Sequence, residues 1–171
     1  MTTGICCHEK RGAAVICEIC VDSVAGVRAA KAAGADRVEL CGDLLEGGTT
    51  PSRGMIHQAR TIVGIGLHVI VRPRGGDFLF DEDEFAVMQA DIDTAKAEGA
   101  DGVVIGLLTA DGAVDAARTR ELIARARPIS VTFHRAFDMA FSVVSGLLSI
   151  LTPVGISKST RSFRPGCSSP A

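Results

Sequence analysis

The 171 residues are 47% hydrophobic with a net charge of −2, enough for one domain with a sizeable core. That balance leaves no basic footprint for nucleic acid, and 4% aromatic residues offer few stacking platforms. Six cysteines without secretory features, behind an N-terminus that mixes acid and base before any apolar run, point to thiols in a reducing compartment, with the cytoplasm expected.

Residues 1–14 are expected to form a flexible N-terminal segment. Val15 to Cys20 is the first strand, and Asp22 or Ser23 can cap a helix running to Ala33, where Gly34 is a suitable stop. Asp36 to Cys41 is the second strand. A long connection, Gly42 to Thr50, leads to a helix expected to carry Pro51 in its first turn and to run to Val63. The third strand, Leu67 to Val71, opens into Arg72-Pro73-Arg74-Gly75-Gly76-Asp77. Proline disfavours helix there and the glycines allow a tight reversal. Two guanidiniums and a carboxylate after a buried strand suit an anionic or chelating ligand, and also suit a polar loop with a surface ion pair. Asp81 to Glu84 is a capping-box start for a helix with Phe85, Met88, Ile92 and Ala95 on one face, ending at Gly99. Gly102 to Leu107 is the fourth strand, Asp115 caps a helix ending near Arg127, and Ile129 to Phe133 is the fifth strand.

Five alternations of strand and helix predict an α/β fold with a parallel sheet. Ala30-Lys31-Ala32-Ala33-Gly34-Ala35-Asp36-Arg37-Val38 returns 65 residues later as Ala95-Lys96-Ala97-Glu98-Gly99-Ala100-Asp101-Gly102-Val103. A duplicated two-unit module points to a (βα)8 barrel, with a flavodoxin-like open sheet as the structural alternative.

Side chains alternate along a strand, which splits each strand into two faces. Glu18 and Cys20 share a face, as do Glu39 and Cys41; His68, Ile70 and Arg72 form a third set, and Thr132 and His134 a fourth. If this set lines the barrel, Cys20, Cys41, Arg72 and His134 fall at the carboxyl ends of their strands, the catalytic face of that architecture. Two facing thiols suit a soft metal such as Cu(I); the alternative is that each is a small buried hydrophobe. An enzymatic reading makes Glu39 a general base, His134 an acid or base, and Arg72 the stabiliser of an oxyanion. Its counterpart is an ion pair of Glu18 or Glu39 with Arg72 or Arg74 in the barrel mouth.

Five strings then resemble the CutC family, named for copper homeostasis: Glu18-Ile19-Cys20-Val21-Asp22-Ser23, Gly34 through Cys41, Glu46-Gly47-Gly48-Thr49-Thr50-Pro51-Ser52, Val71 through Phe78, and Thr132 through Met139. The resemblance implies a TIM barrel in the cytoplasm, or also the nucleus, and a copper ion as partner. It implies Cu(I) held by Cys20 and Cys41. From the strand faces and the barrel mouth, Glu39, Arg72, His134 and Asp138 are the candidate catalytic residues and Arg74 and Asp77 the substrate-binding ones.

Past Met139 the resemblance stops. The expectation is a partial, open barrel of five units over 15–140, followed by a divergent helix and tail over 141–171, as in a truncated isoform. A whole barrel needs eight strands and about 250 residues. Open first and fifth edges would invite self-association or pairing with full-length relatives. Met139 to Ile156 is uncharged, but its serines, glycines and Pro153 argue against a membrane span. The alternatives to copper handling are a barrel enzyme acting on a small anionic substrate, and an inactive fragment.

Overall fold

The computed structural model describes residues 15–140. The expected flexible segment 1–14, the divergent segment 141–171, and Cys6, Cys7 and Cys167 lie outside the described residues. Five strands and four helices alternate: β1 (Glu18–Val21), α1 (Val24–Ala32), β2 (Arg37–Leu40), α2 (Arg53–Arg60), β3 (Gly66–Ile70), α3 (Glu82–Ala97), β4 (Gly102–Ile105), α4 (Ala116–Ala126) and β5 (Ser130–Phe133). Short 3₁₀ turns follow β2 (Leu44–Glu46) and β5 (Arg135–Met139). All neighbouring strands pair parallel, in the order β1-β2-β3-β4-β5, giving the open five-unit sheet expected of a partial barrel.

Helix starts are set by side-chain caps. Ser23 Oγ accepts from Gly26 N–H (3.1 Å), and Asp115 Oδ1 accepts from Arg118 N–H (3.0 Å). Asp81 and Glu84 form the full capping box, with Glu84 N–H to Asp81 Oδ1 at 2.8 Å and Asp81 N–H to Glu84 Oε2 at 2.9 Å. At α2 the expectation shifts. Ser52, not the position before Pro51, is the cap, because its hydroxyl accepts the Met55 N–H (3.2 Å). Pro51 therefore stands outside the helix, which closes at Arg60 rather than Val63.

One face of each strand packs on the helices. Val38, Leu40, Leu67, Val69, Val103 and Ile105 share a core with Val27, Ile56, Met88, Ile92 and Leu122, all buried. Fully burying one such side chain contributes about 1.5–3 kcal/mol, so this face fixes which way each strand is turned. The opposite face carries a smaller cluster of Cys41, Ile70 and Val104. Among the described residues, no helix is long and apolar enough to cross a membrane.

The sequence repeat does the same mechanical job twice. Gly34 (φ +84°) and Gly99 (φ +81°) reverse the chain after α1 and α3, a left-handed conformation that costs glycine little. The aspartate two residues on then ties neighbouring strands together. Asp36 Oδ2 accepts from Cys17 N–H (2.7 Å), and Asp101 Oδ2 accepts from Leu67 N–H (2.8 Å). Asp101 also pairs with Arg60 Nη1 at 2.8 Å. The Leu67 joint lies at a buried residue of an inner strand, whereas Cys17 is exposed.

Asp101→Ala is therefore expected to lower unfolding free energy by about 1–3 kcal/mol, and Asp36→Ala by no more than about 1 kcal/mol. Urea unfolding of both variants checks this; equal losses would show that the two joints are not graded by burial.

Candidate functional site

Register places one row of side chains across the sheet on the face away from the helices: Cys20 opposite Glu39, Glu39 opposite His68, His68 opposite Gly102. One pleat nearer the carboxyl ends come Cys41, Ile70, Val104 and Thr132, and then Arg72, Gly106 and His134. The polar set of the sequence alternation is thus on the inner face.

The two thiols meet. Cys20 Sγ and Cys41 Sγ are 3.8 Å apart, and Cys41 Sγ also donates to Val21 O (3.5 Å). Cys41 is fully buried and Cys20 exposed. Burial, then the neighbouring Cys20, pushes the Cys41 thiol up to about 12. Burial and the Glu39 carboxylate raise Cys20 as well, so both are thiols at neutral pH. The donor set fits a cation satisfied by two soft ligands. Among the described residues no group of three or more His, Cys, Asp or Glu converges, whereas a structural zinc site takes four ligands.

Arg72 is 1% exposed. Its guanidinium donates through Nη1 to Glu46 O (2.9 Å) and Gly48 O (3.0 Å), and through Nη2 to Gly76 O (2.7 Å). Thr50 clamps its backbone from both sides, accepting the Arg72 N–H at Oγ1 (2.9 Å) and donating its own N–H to Arg72 O (2.9 Å). The loops after β2 and β3 are thereby fastened together. The Arg72 guanidinium also lies 4.9 Å from the Phe78 ring centre.

His134 packs 5.0 Å from the same ring and is 8% exposed. Its Nδ1 accepts the Ala136 N–H at 3.2 Å, which assigns the ring proton to Nε2. Burial, then the Arg72 charge, pulls its pKa down to about 4, so the ring is neutral at pH 7. Burial and then the Glu18 charge raise Glu39, while Arg37 opposes them.

Glu39, Ile70, Arg72, Phe78, His134 and Arg135 border one cavity of about 200 Å³. The remaining candidates do not reach it. Arg74 pairs with Asp77 (3.0 Å) and with Glu84 of the α3 capping box, and donates to Leu79 O (2.8 Å). This is the surface ion pair of the plainer reading, and the Asp77 side chain is 70% exposed. Asp138 is exposed on the 3₁₀ turn. Glu18 pairs with Arg37, so the expected bridge from Glu18 to Arg72 or Arg74 is not made. The reason is register: Arg37 is the strand neighbour of Glu18, several residues below the loop arginines.

Sequence reasoning missed the glycines of β4 and its exit. A Cβ at Gly102 would stand 2.7 Å from the His68 ring, and one at Gly106 would run into the His134 ring. It also passed over Arg135, whose guanidinium fills the space that a side chain at Gly47 would take. The available signal was the Gly102/Gly106 spacing on one strand face.

The CutC family profile matches residues 15–162, continuing past Met139. A CutC-named protein of Chromobacterium violaceum is 58% identical over 73% of this chain and 51% of its own length. The copper homeostasis protein cutC homologs of Homo sapiens and Mus musculus are 50% and 46% identical, over 84% and 89% of this chain and 53% and 60% of theirs. The chain thus spans about half the length of the curated relatives it matches. A crystal structure named for copper homeostasis protein CutC of Streptococcus agalactiae superposes with TM-score 0.75 at 30% identity, covering 81% of this chain and 69% of that one.

The buried neutral imidazole sets a pH dependence. An unfolded histidine takes up its proton near pH 6.5, whereas folded His134 does so only near 4. Stability from this residue is therefore complete above pH 6.5, is lost as pH falls to 4, and loses no more below that, with a ceiling of about 3 kcal/mol. His68 slopes the same way and Glu39 the opposite way, and both persist in a variant. Urea unfolding at pH 7 and pH 4 should show His134→Gln losing less stability on acidification than the native chain; identical losses would contradict the assignment.

Proposed function

The chain belongs to the CutC family, and from that premise we propose that it serves copper homeostasis by binding Cu(I) as cargo between Cys20 and Cys41. The carrying observation is the 3.8 Å separation of the two sulfurs on adjacent strands. Thiolate sulfur is the ligand class that selects Cu(I) over harder cations, and two such ligands can hold it. The names of the human and mouse relatives support the same reading.

Binding must displace protons. Each thiol gives up its hydrogen as its sulfur bonds the metal, so Cu(I) plus two thiols yields a dithiolate complex of charge −1 and two protons. The raised pKa of Cys41 makes that release costly at neutral pH, which argues for affinity that climbs steeply with pH. The exposed Cys20 provides first contact, and the buried Cys41 takes the ion out of solvent.

Cu(I) competition against a chromophoric chelator under reducing conditions should give one equivalent for the native chain. That equivalent should be lost in both Cys20→Ser and Cys41→Ser. Apparent affinity should rise by up to about 100-fold per pH unit below the thiol pKa values. Unchanged stoichiometry in both variants would remove the proposal.

A further inference from the structure

We propose that the cavity bordered by Arg72 and His134 is a binding site for a small carboxylate, held by the Arg72 Nε–H and the His134 Nε2–H. Both nitrogens are buried and without a hydrogen-bond partner among the described residues. Both belong to residues more than nine-tenths buried, and both residues line the same cavity. A buried polar group left unpaired costs about 1–3 kcal/mol, and two beside one cavity mark a place where an acceptor belongs.

The chemistry of the acceptor follows from the donors. Arg72 has committed Nη1 and Nη2 to three carbonyl oxygens, which leaves Nε free. His134 has committed Nδ1 to the Ala136 N–H, which leaves Nε2 as a donor and not as a base. Two N–H groups of cavity-lining residues are therefore left for a ligand with oxygen lone pairs. Arg72 and Arg135 supply two positive charges against the one carboxyl of Glu39, so the ligand is an anion and not a metal cation. Ile70 and Phe78 complete the wall and leave room for a short carbon chain.

Size and donor count select among anions. About 200 Å³ is below the usual range for drug-sized ligands and suits a molecule of a few heavy atoms. The cavity offers two orphaned buried donors, Arg72 Nε and His134 Nε2, where a phosphate brings four oxygens. A carboxylate, with two oxygens, matches that count. The glycines agree with this arrangement, since side chains at 47 and 106 would displace Arg135 and His134 from the rim. A larger groove between α2 and α3, lined by Thr50, Ile56, Val87 and Asp91, carries no orphaned buried donor among the described residues.

The test reads the imidazole and is independent of the thiols. The full chain with ¹⁵N-labelled histidine is titrated with acetate and with propionate, and in parallel with inorganic phosphate and with chloride at matched ionic strength. The His134 Nε2 resonance should move saturably with the carboxylates, and calorimetry should show His134→Leu weakening acetate binding about tenfold or more, the worth of one hydrogen bond to a charged group. Absence of a saturable shift, a shift reproduced by chloride, saturation by phosphate alone, or unchanged acetate affinity in His134→Leu would each overturn the proposal. If His134→Leu does not fold, the titration of the native chain decides.

Discussion

A buried arginine at the end of an inner strand organises this molecule. Arg72 keeps its charge at any working pH, yet it is removed from water almost completely. Burying a cation is tolerable only where oxygens replace the lost hydration, and here three main-chain carbonyls do so. Two of them come from the loop after β2 and one from the loop after β3. The guanidinium and the Thr50 clamp on the Arg72 backbone together make the two loops a single surface. Phe78, stacked against the same group, then has a fixed position, and His134 packs on Phe78 in turn.

The order of dependence explains why the site candidates separate into two kinds. Residues on the inner face of a strand or at its exit, namely Cys20, Glu39, Cys41, Arg72 and His134, end up together because the pleat and the helix-packed opposite face leave them no other direction. Arg74 and Asp77 sit beyond the strand, where no pleat constrains them, and they find charged neighbours at the surface. Adjacency to Arg72 in sequence says nothing about adjacency in space once the chain has turned at Pro73.

This distinction also describes how much could be read beforehand. Strand faces, caps at Ser23, Asp81 and Asp115, and the repeated Gly-Ala-Asp turn were legible because each is a local rule with a spacing of two, three or four residues. The pairing of Glu18 with Arg37 was not, since it depends on the parallel register between β1 and β2, which no local pattern states. The carbonyl partners of Arg72 were equally hidden, because main-chain oxygens carry no residue identity. Gly106 was hidden for a third reason: its meaning is the volume it leaves to His134, a residue at the exit of another strand.

Burial across the sheet then distinguishes the thiol pair from the cavity. Every residue of β4 is buried, and so is all of β3 after Gly66, whereas β1 and β5 are mostly half-buried or exposed. The cavity draws its walls from β2, β3, the β5 exit and the loops that Arg72 ties down, and the two donors on it, Arg72 and His134, are themselves buried. The thiol pair bridges β2 and the edge strand β1, with one sulfur in the core and one open to solvent. An exposed soft donor beside a buried one is poorly suited to permanent structural packing, because Cys20 gains little from burial. It is well suited to capture, since an incoming cation can bond the accessible sulfur before the enclosed one loses its proton. The two halves of the inner face thus differ in kind: a pocket of buried N–H donors at the exits of β3 and β5, and a sulfur pair whose openness comes from lying at the sheet's edge.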